Sequence, residues 1–89
     1  MARHLSAMKR ARQNKKRRVR NQSRKTRVKN VVREVRQALS KQDAAVAETA
    51  LTKAVPIIAQ VAGKGTMHWR AAARKISRLT RQVNALKSA

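Results

Sequence analysis

The sequence predicts an all-α protein: a three-helix, up-down-up bundle with a long, basic N-terminal helix projecting beyond it. Three observations lead there. Apolar residues recur at helical spacing in three separate stretches. Two short turn signals, Ser40-Lys41-Gln42-Asp43 and Gly63-Lys64-Gly65, separate those stretches. The N-terminal stretch has no Gly or Pro to break a helix, and it is rich in the good helix formers Arg, Lys and Gln. At 89 residues, the chain is read as a single domain over 1–89.

Helix one is expected over 6–40, with Ser6 as N-cap and Met1 to Leu5 as a frayed tail. Its first half, to about residue 27, is a basic arm. Lys9, Arg10, Arg12, Lys15, Lys16, Arg17, Arg18, Arg20, Arg24, Lys25, Arg27 and Lys29 carry positive charge, and no acid interrupts them. These charges fall on every face, so the arm repels itself at i,i+4 and has no apolar stripe to bury. Its second half changes character. Val28, Val31, Val32, Val35, Ala38 and Leu39 recur at i, i+3, i+4, i+7, i+10 and i+11, one face of a helix.

Helix two is expected over 44–62. Asp43 suits its N-cap, where a carboxylate meets the positive helix end. Ala47, Ala50, Leu51, Ala54, Ile58, Val61 and Ala62 form its stripe, broadened by Val46, Val55 and Ile57. Pro56 lies inside it and removes one backbone N–H, so a kink near Val55-Pro56 is expected rather than a break. Either Gly63 or Gly65 can take the left-handed conformation that closes a helix.

Helix three is expected over 66–86 with Thr66 as N-cap. Trp69, Ala72, Ala73, Ile76, Leu79, Val83 and Leu86 make its stripe, with Trp69 read as a core anchor rather than a base-stacking platform. Arg70, Arg74, Arg78 and Arg81 fall within another arc of about 80°. The three apolar faces make one small core, which leaves roughly the first five turns of helix one projecting. Such a core supplies only about 3–5 kcal/mol. The basic arm is therefore expected to be largely disordered in the free protein and to order on its partner.

Composition names the class of that partner. Lys and Arg total 24 against 3 acids, a formal net charge of +21. That excess favours a polyanion. Phosphate neutralisation releases counterions, and Arg adds forked geometry for phosphate oxygens. Asn14, Asn21, Gln13, Gln22, Ser23 and Thr26 are interleaved with the charges and suit phosphate, sugar or base-edge contacts. The expected nucleic-acid contacts are Lys9, Arg10, Lys16, Arg17, Arg20, Arg24 and Arg27 on the arm, and Arg70, Arg74, Arg78 and Arg81 on helix three. Two basic surfaces on one small body suit a bridge between two nucleic-acid segments.

Other classes are disfavoured. With no Cys and only His4 and His68, no metal site is expected, and no cofactor. Three acids offer no credible acid–base pair beyond a chance approach of Asp43 and Glu48, so no enzyme and no small-molecule substrate are expected. Glu34 has Lys41, Arg27 and Arg33 as candidate ion-pair partners. The longest uncharged stretch, Ala54 to Gly63, falls short of a membrane span, and the arm lacks the apolar face of a membrane-active helix. A small nucleoid-type DNA-binding protein is the alternative reading.

Ser6-Ala7 followed by Lys9-Arg10, Asn21 with Ser23-Arg24-Lys25-Thr26, Asp43, Lys64-Gly65 followed by His68, Ala72-Ala73-Arg74 and Ser77-Arg78-Leu79 occur in this order along nearly the whole chain. In this it resembles the bacterial small-subunit ribosomal protein family numbered twenty. That family usually has Asn where Arg70 stands here and Lys where Ile76 stands. The resemblance implies a cytoplasmic, monomeric three-helix protein of the small ribosomal subunit, joining early in assembly. It implies direct binding to small-subunit ribosomal RNA, at its 5′ domain and the long helix near its 3′ end. The choice of RNA over DNA rests on the resemblance, not on composition.

Overall fold

Local chain chemistry sets three helices, seen in a computed structural model that describes residues 2–89. They are α1 (Ala2–Ser40), α2 (Ala44–Gly63) and α3 (Trp69–Ser88). Among the described residues there is no strand. α1 begins before the expected cap, so Ser6 is a helix-interior residue and Ala2 to Leu5 are helical rather than frayed. Met1 lies outside the described residues.

The first turn closes α1 through Gln42, whose φ of 56° lies in the left-handed region. Asp43 N–H donates to Ala38 O at 3.1 Å and Gln42 N–H to Leu39 O at 3.0 Å, the bond pattern of a Schellman cap. Asp43 then caps α2: its Oδ1 accepts from Val46 N–H at 3.2 Å. α2 runs unbroken through Pro56, which is exposed, so water can serve the carbonyl that its missing N–H leaves free. At its far end Lys64 N–H donates to Gln60 O, and Gly65 takes a φ of 80°. Both glycines are thus in the closing turn, with Gly65 the left-handed one.

α3 starts later than expected. The cap is His68, not Thr66: its Nδ1 accepts from Arg70 N–H at 3.1 Å. Thr66 Oγ1 instead bonds to Arg24 and Asn21 of α1.

The core is built from Val28, Val31, Val32, Val35 and Ala38 of α1, Ala47, Ala50, Ala54, Ile58 and Val61 of α2, and Ala72, Leu79 and Val83 of α3. Leu39, Leu51, Ala62, Ile76 and Leu86 pack at its edge. Alanines on α2 let the valine face of α1 approach closely. α2 packs against both neighbours, whereas α1 and α3 touch least. By length and composition α2 is apolar enough to cross a bilayer, contrary to the sequence expectation. Its apolar face is instead taken up by α1 and α3, and its Glu48 and Lys53 form ion pairs with them.

Two members of the expected stripe on α3 lie outside. Ala73 is exposed, and so is Trp69 at 64%. Trp69 is therefore not a core anchor. α2 has ended at Gly63, and the α1 residues at that level include Asn21 and Arg24.

Candidate nucleic-acid interface

Before Val28, α1 buries no apolar side chain. Residues 4–23 are all exposed. At 1.5 Å per residue the stretch from Ala2 to Ser23 extends about 33 Å, and the molecule as a whole measures 68 × 21 × 14 Å. Lys9, Arg10, Lys16, Arg17 and Arg20 stand on this arm, and Arg27 lies exposed just beyond it. Like charges at i,i+4, such as Lys16, Arg20 and Arg24, destabilise the helix until an external anion neutralises them.

The acids do not do so. Glu34 Oε2 meets Lys53 Nζ at 3.4 Å, tying α1 to α2, so neither Lys41, Arg27 nor Arg33 is its partner. Glu48 Oε1 meets Lys87 Nζ at 3.0 Å, tying α2 to α3. Asp43 is engaged as the α2 cap, not with Glu48. Among the described residues these are the ion pairs, and none involves an expected contact residue. Exposed pairs of this kind contribute at most about 1 kcal/mol each. Their consequence is electrostatic: every carboxylate is committed to the bundle, and the arm stays uncompensated.

Arg24 differs from the other arm cations. It is half-buried, and its Nη1 donates to Thr66 Oγ1 at 3.3 Å and to Asn21 Oδ1 at 3.4 Å. Thr66 Oγ1 donates in turn to Asn21 Oδ1 at 3.2 Å. These three side chains clasp the α2–α3 turn to the root of the arm, which continues the axis of the packed half of α1.

On α3 the expected basic face is present. Arg70, Arg74, Arg78 and Arg81 are exposed, on the side opposite the buried Ala72, Leu79 and Val83. Between the arm and this face lie cations outside the expected contact set, among them Lys25 and Lys29 of the basic stretch. A groove between α1 and α3 has Val28, Val32 and Met67 in its lining and Lys25, Lys29, Arg33, Arg36 and Lys75 around them. The signal was available: Lys25, Lys29 and Arg33 repeat at i, i+4 and i+8 beside the valine stripe. Only the fold brings Lys75 opposite them.

At the start of α3 the His68 and Trp69 rings lie 5.8 Å apart at 25°. The guanidinium carbon of Arg70 sits 5.2 Å from the Trp69 ring centroid. Among the described residues no group of His, Cys, Asp or Glu could hold a metal ion.

The family model described as Ribosomal protein S20 matches residues 2–84. The small ribosomal subunit protein bS20 of Solidesulfovibrio magneticus is 54% identical over 89 residues, which is 100% of both chains. That of Nitratidesulfovibrio vulgaris (strain DP4) is 52% identical, covering 94% of this chain and 97% of the relative. That of Geobacter metallireducens is 45% identical, covering 97% and 99%.

Proposed function

The chain belongs to the ribosomal protein S20 family, and from that premise we propose that it is a structural protein of the small ribosomal subunit that binds the subunit's RNA directly and bridges RNA segments during assembly. Its place is the cytoplasm, within that subunit, as a single copy. It performs no catalysis.

The observation that carries this reading is the separation of charge. All the carboxylates lie on the bundle, while the arm and the outer face of α3 present Arg and Lys with no acid beside them. A projecting cationic helix neutralises closely spaced phosphates along an RNA groove. Lys9, Arg10, Lys16, Arg17, Arg20 and Arg27 contact one segment. Arg70, Arg74, Arg78 and Arg81 contact a second, and Lys25, Lys29, Arg33, Arg36 and Lys75 continue the track between them. The clasp of Arg24, Asn21 and Thr66 sets the angle between the two surfaces. Phosphates on the RNA relieve the repulsion that the arm, unsupported by apolar packing, carries along its helix. By the family resemblance the segments are the 5′ domain and the long helix near the 3′ end.

Footprinting of small-subunit ribosomal RNA tests the bridge. Two separate protected segments are expected, one abolished by neutralising Lys16, Arg17 and Arg20, the other by neutralising Arg74, Arg78 and Arg81. A single protected segment that responds to both sets contradicts bridging.

A further inference from the structure

We propose that Trp69 is a stacking platform for one unpaired nucleobase, a subsite for RNA separate from the phosphate contacts of the arm. The proposal rests on the RNA-binding reading above. It begins from an anomaly in the packing: the chain's single aromatic residue has helical spacing with the core stripe, yet the ring is 64% exposed. An indole this exposed is a large apolar surface that the core does not cover.

The ring is oriented rather than loose. His68 lies beside it at 5.8 Å and 25°, and His68 is itself fixed as the α3 cap by its bond to Arg70 N–H. The Arg70 guanidinium covers the indole at 5.2 Å, and Arg70 is exposed, so this cover is exchangeable. A nucleobase has the same flat π-face and takes its place, freeing the guanidinium for the phosphate of that nucleotide. The base must be unpaired, because a base within a duplex already has neighbours on both faces.

Position agrees with chemistry. Thr66 ties the turn before α3 to Asn21 and Arg24, so Trp69 stands at the end of the bundle from which the arm departs. RNA lying on the arm's root and on Arg74 passes this end. The carboxylates are committed elsewhere: Asp43 caps the other end of α2, and Glu34 and Glu48 are ion-paired. A phosphate beside the ring meets cations alone.

The full chain supplies its own probe, since Trp69 is its one tryptophan. Two RNA hairpins, identical except for one unpaired purine, are titrated alongside small-subunit ribosomal RNA. Binding is followed by anisotropy of labelled RNA, and stacking by Trp emission and acrylamide access. Ribosomal RNA and the hairpin with the unpaired base are expected to quench and shield Trp69 at the concentration where they bind. Trp69→Ala is expected to weaken that hairpin about tenfold, or about 1.4 kcal/mol, leaving the paired one and the circular dichroism unchanged. Trp69→Phe is expected to recover most of the affinity. Normal RNA affinity with Trp69 still as accessible as in the free chain overturns the stacking site and leaves RNA binding standing. So does an Ala variant that binds both hairpins as the parent does. Shielding that appears only when other small-subunit proteins are added assigns the ring to a protein contact and overturns the proposal. Failure of the parent chain to bind any of these RNAs overturns both readings.

Discussion

Arg24 donates to Thr66 across 42 positions of sequence, Nη1 to Oγ1 at 3.3 Å, and so joins the base of the arm to the turn that precedes α3. The bond uses a cation that would otherwise face solvent. It converts a helix that buries no apolar side chain before Val28 into one whose root is held by side chains. Removing the hydroxyl with Thr66→Val is expected to cost about 0.5–1.5 kcal/mol, the net worth of an ordinary hydrogen bond. A double-mutant cycle with Arg24→Ala, read by urea unfolding, should show a favourable coupling of the same order. Additive effects would mean that the clasp is not formed in solution.

Gln42 occupies the left-handed position of the first turn, where the second turn has Gly65. A side chain there carries a steric penalty that glycine lacks. Gln42→Gly is expected to stabilise the bundle by about 0.5–1 kcal/mol, within the usual gain from satisfying such a cap. An unchanged or lowered Tm would contradict that geometry.

Ile58 is fully buried in the core that the three helices share. Truncating such a side chain typically costs about 2–5 kcal/mol, comparable to the whole stability of a core this small, about 3–5 kcal/mol. Ile58→Ala is therefore expected to leave the bundle largely unfolded at 25 °C by circular dichroism. Trp69→Ala, by contrast, should unfold at nearly the parent denaturant concentration.

Each arm cation that meets a phosphate should appear in the salt dependence of binding. Neutralising Lys16, Arg17 or Arg20 to Gln is expected to reduce the slope of log K against log salt by about 0.7–0.9 for each phosphate no longer neutralised. Lys53→Gln should leave the slope unchanged, because Lys53 is occupied by Glu34. Equal effects at both places would mean that net charge alone, not the arm, drives binding.

The arm's i,i+4 repulsion bears on its order before RNA arrives. Far-UV circular dichroism of the free chain at low salt is expected to show less helix than α1, α2 and α3 together require, and to gain helix on adding RNA. Full helicity without an anion would show that the arm's propensity overcomes its charge.

Much of this architecture was legible in the sequence because periodicity and caps are local signals. The spacing of Val28, Val31, Val32, Val35 and Ala38 marked the buried face of α1, and Asp43 marked the start of α2. What escaped depended on where elements end relative to one another. Trp69 has core spacing, but α2 stops at Gly63 and leaves it uncovered. Thr66 has the chemistry of a cap, but its hydroxyl is drawn to Asn21 and Arg24, and His68 caps instead. Glu34 had cations nearer in sequence than Lys53, which only the packing of α2 on α1 brings within reach. Likewise Lys75 joins Lys29 and Arg33 solely through the placement of α3 beside α1.

Competition binding would decide whether this charge distribution selects ribosomal RNA: purified small-subunit RNA against duplex DNA of equal length, across a salt series. The expected result is a site that stays tight on the RNA at physiological salt while DNA binding disappears. Affinities for RNA and DNA that start equal and fall together with salt would reduce the chain to a generic polycation and contradict direct, specific binding to the small-subunit RNA.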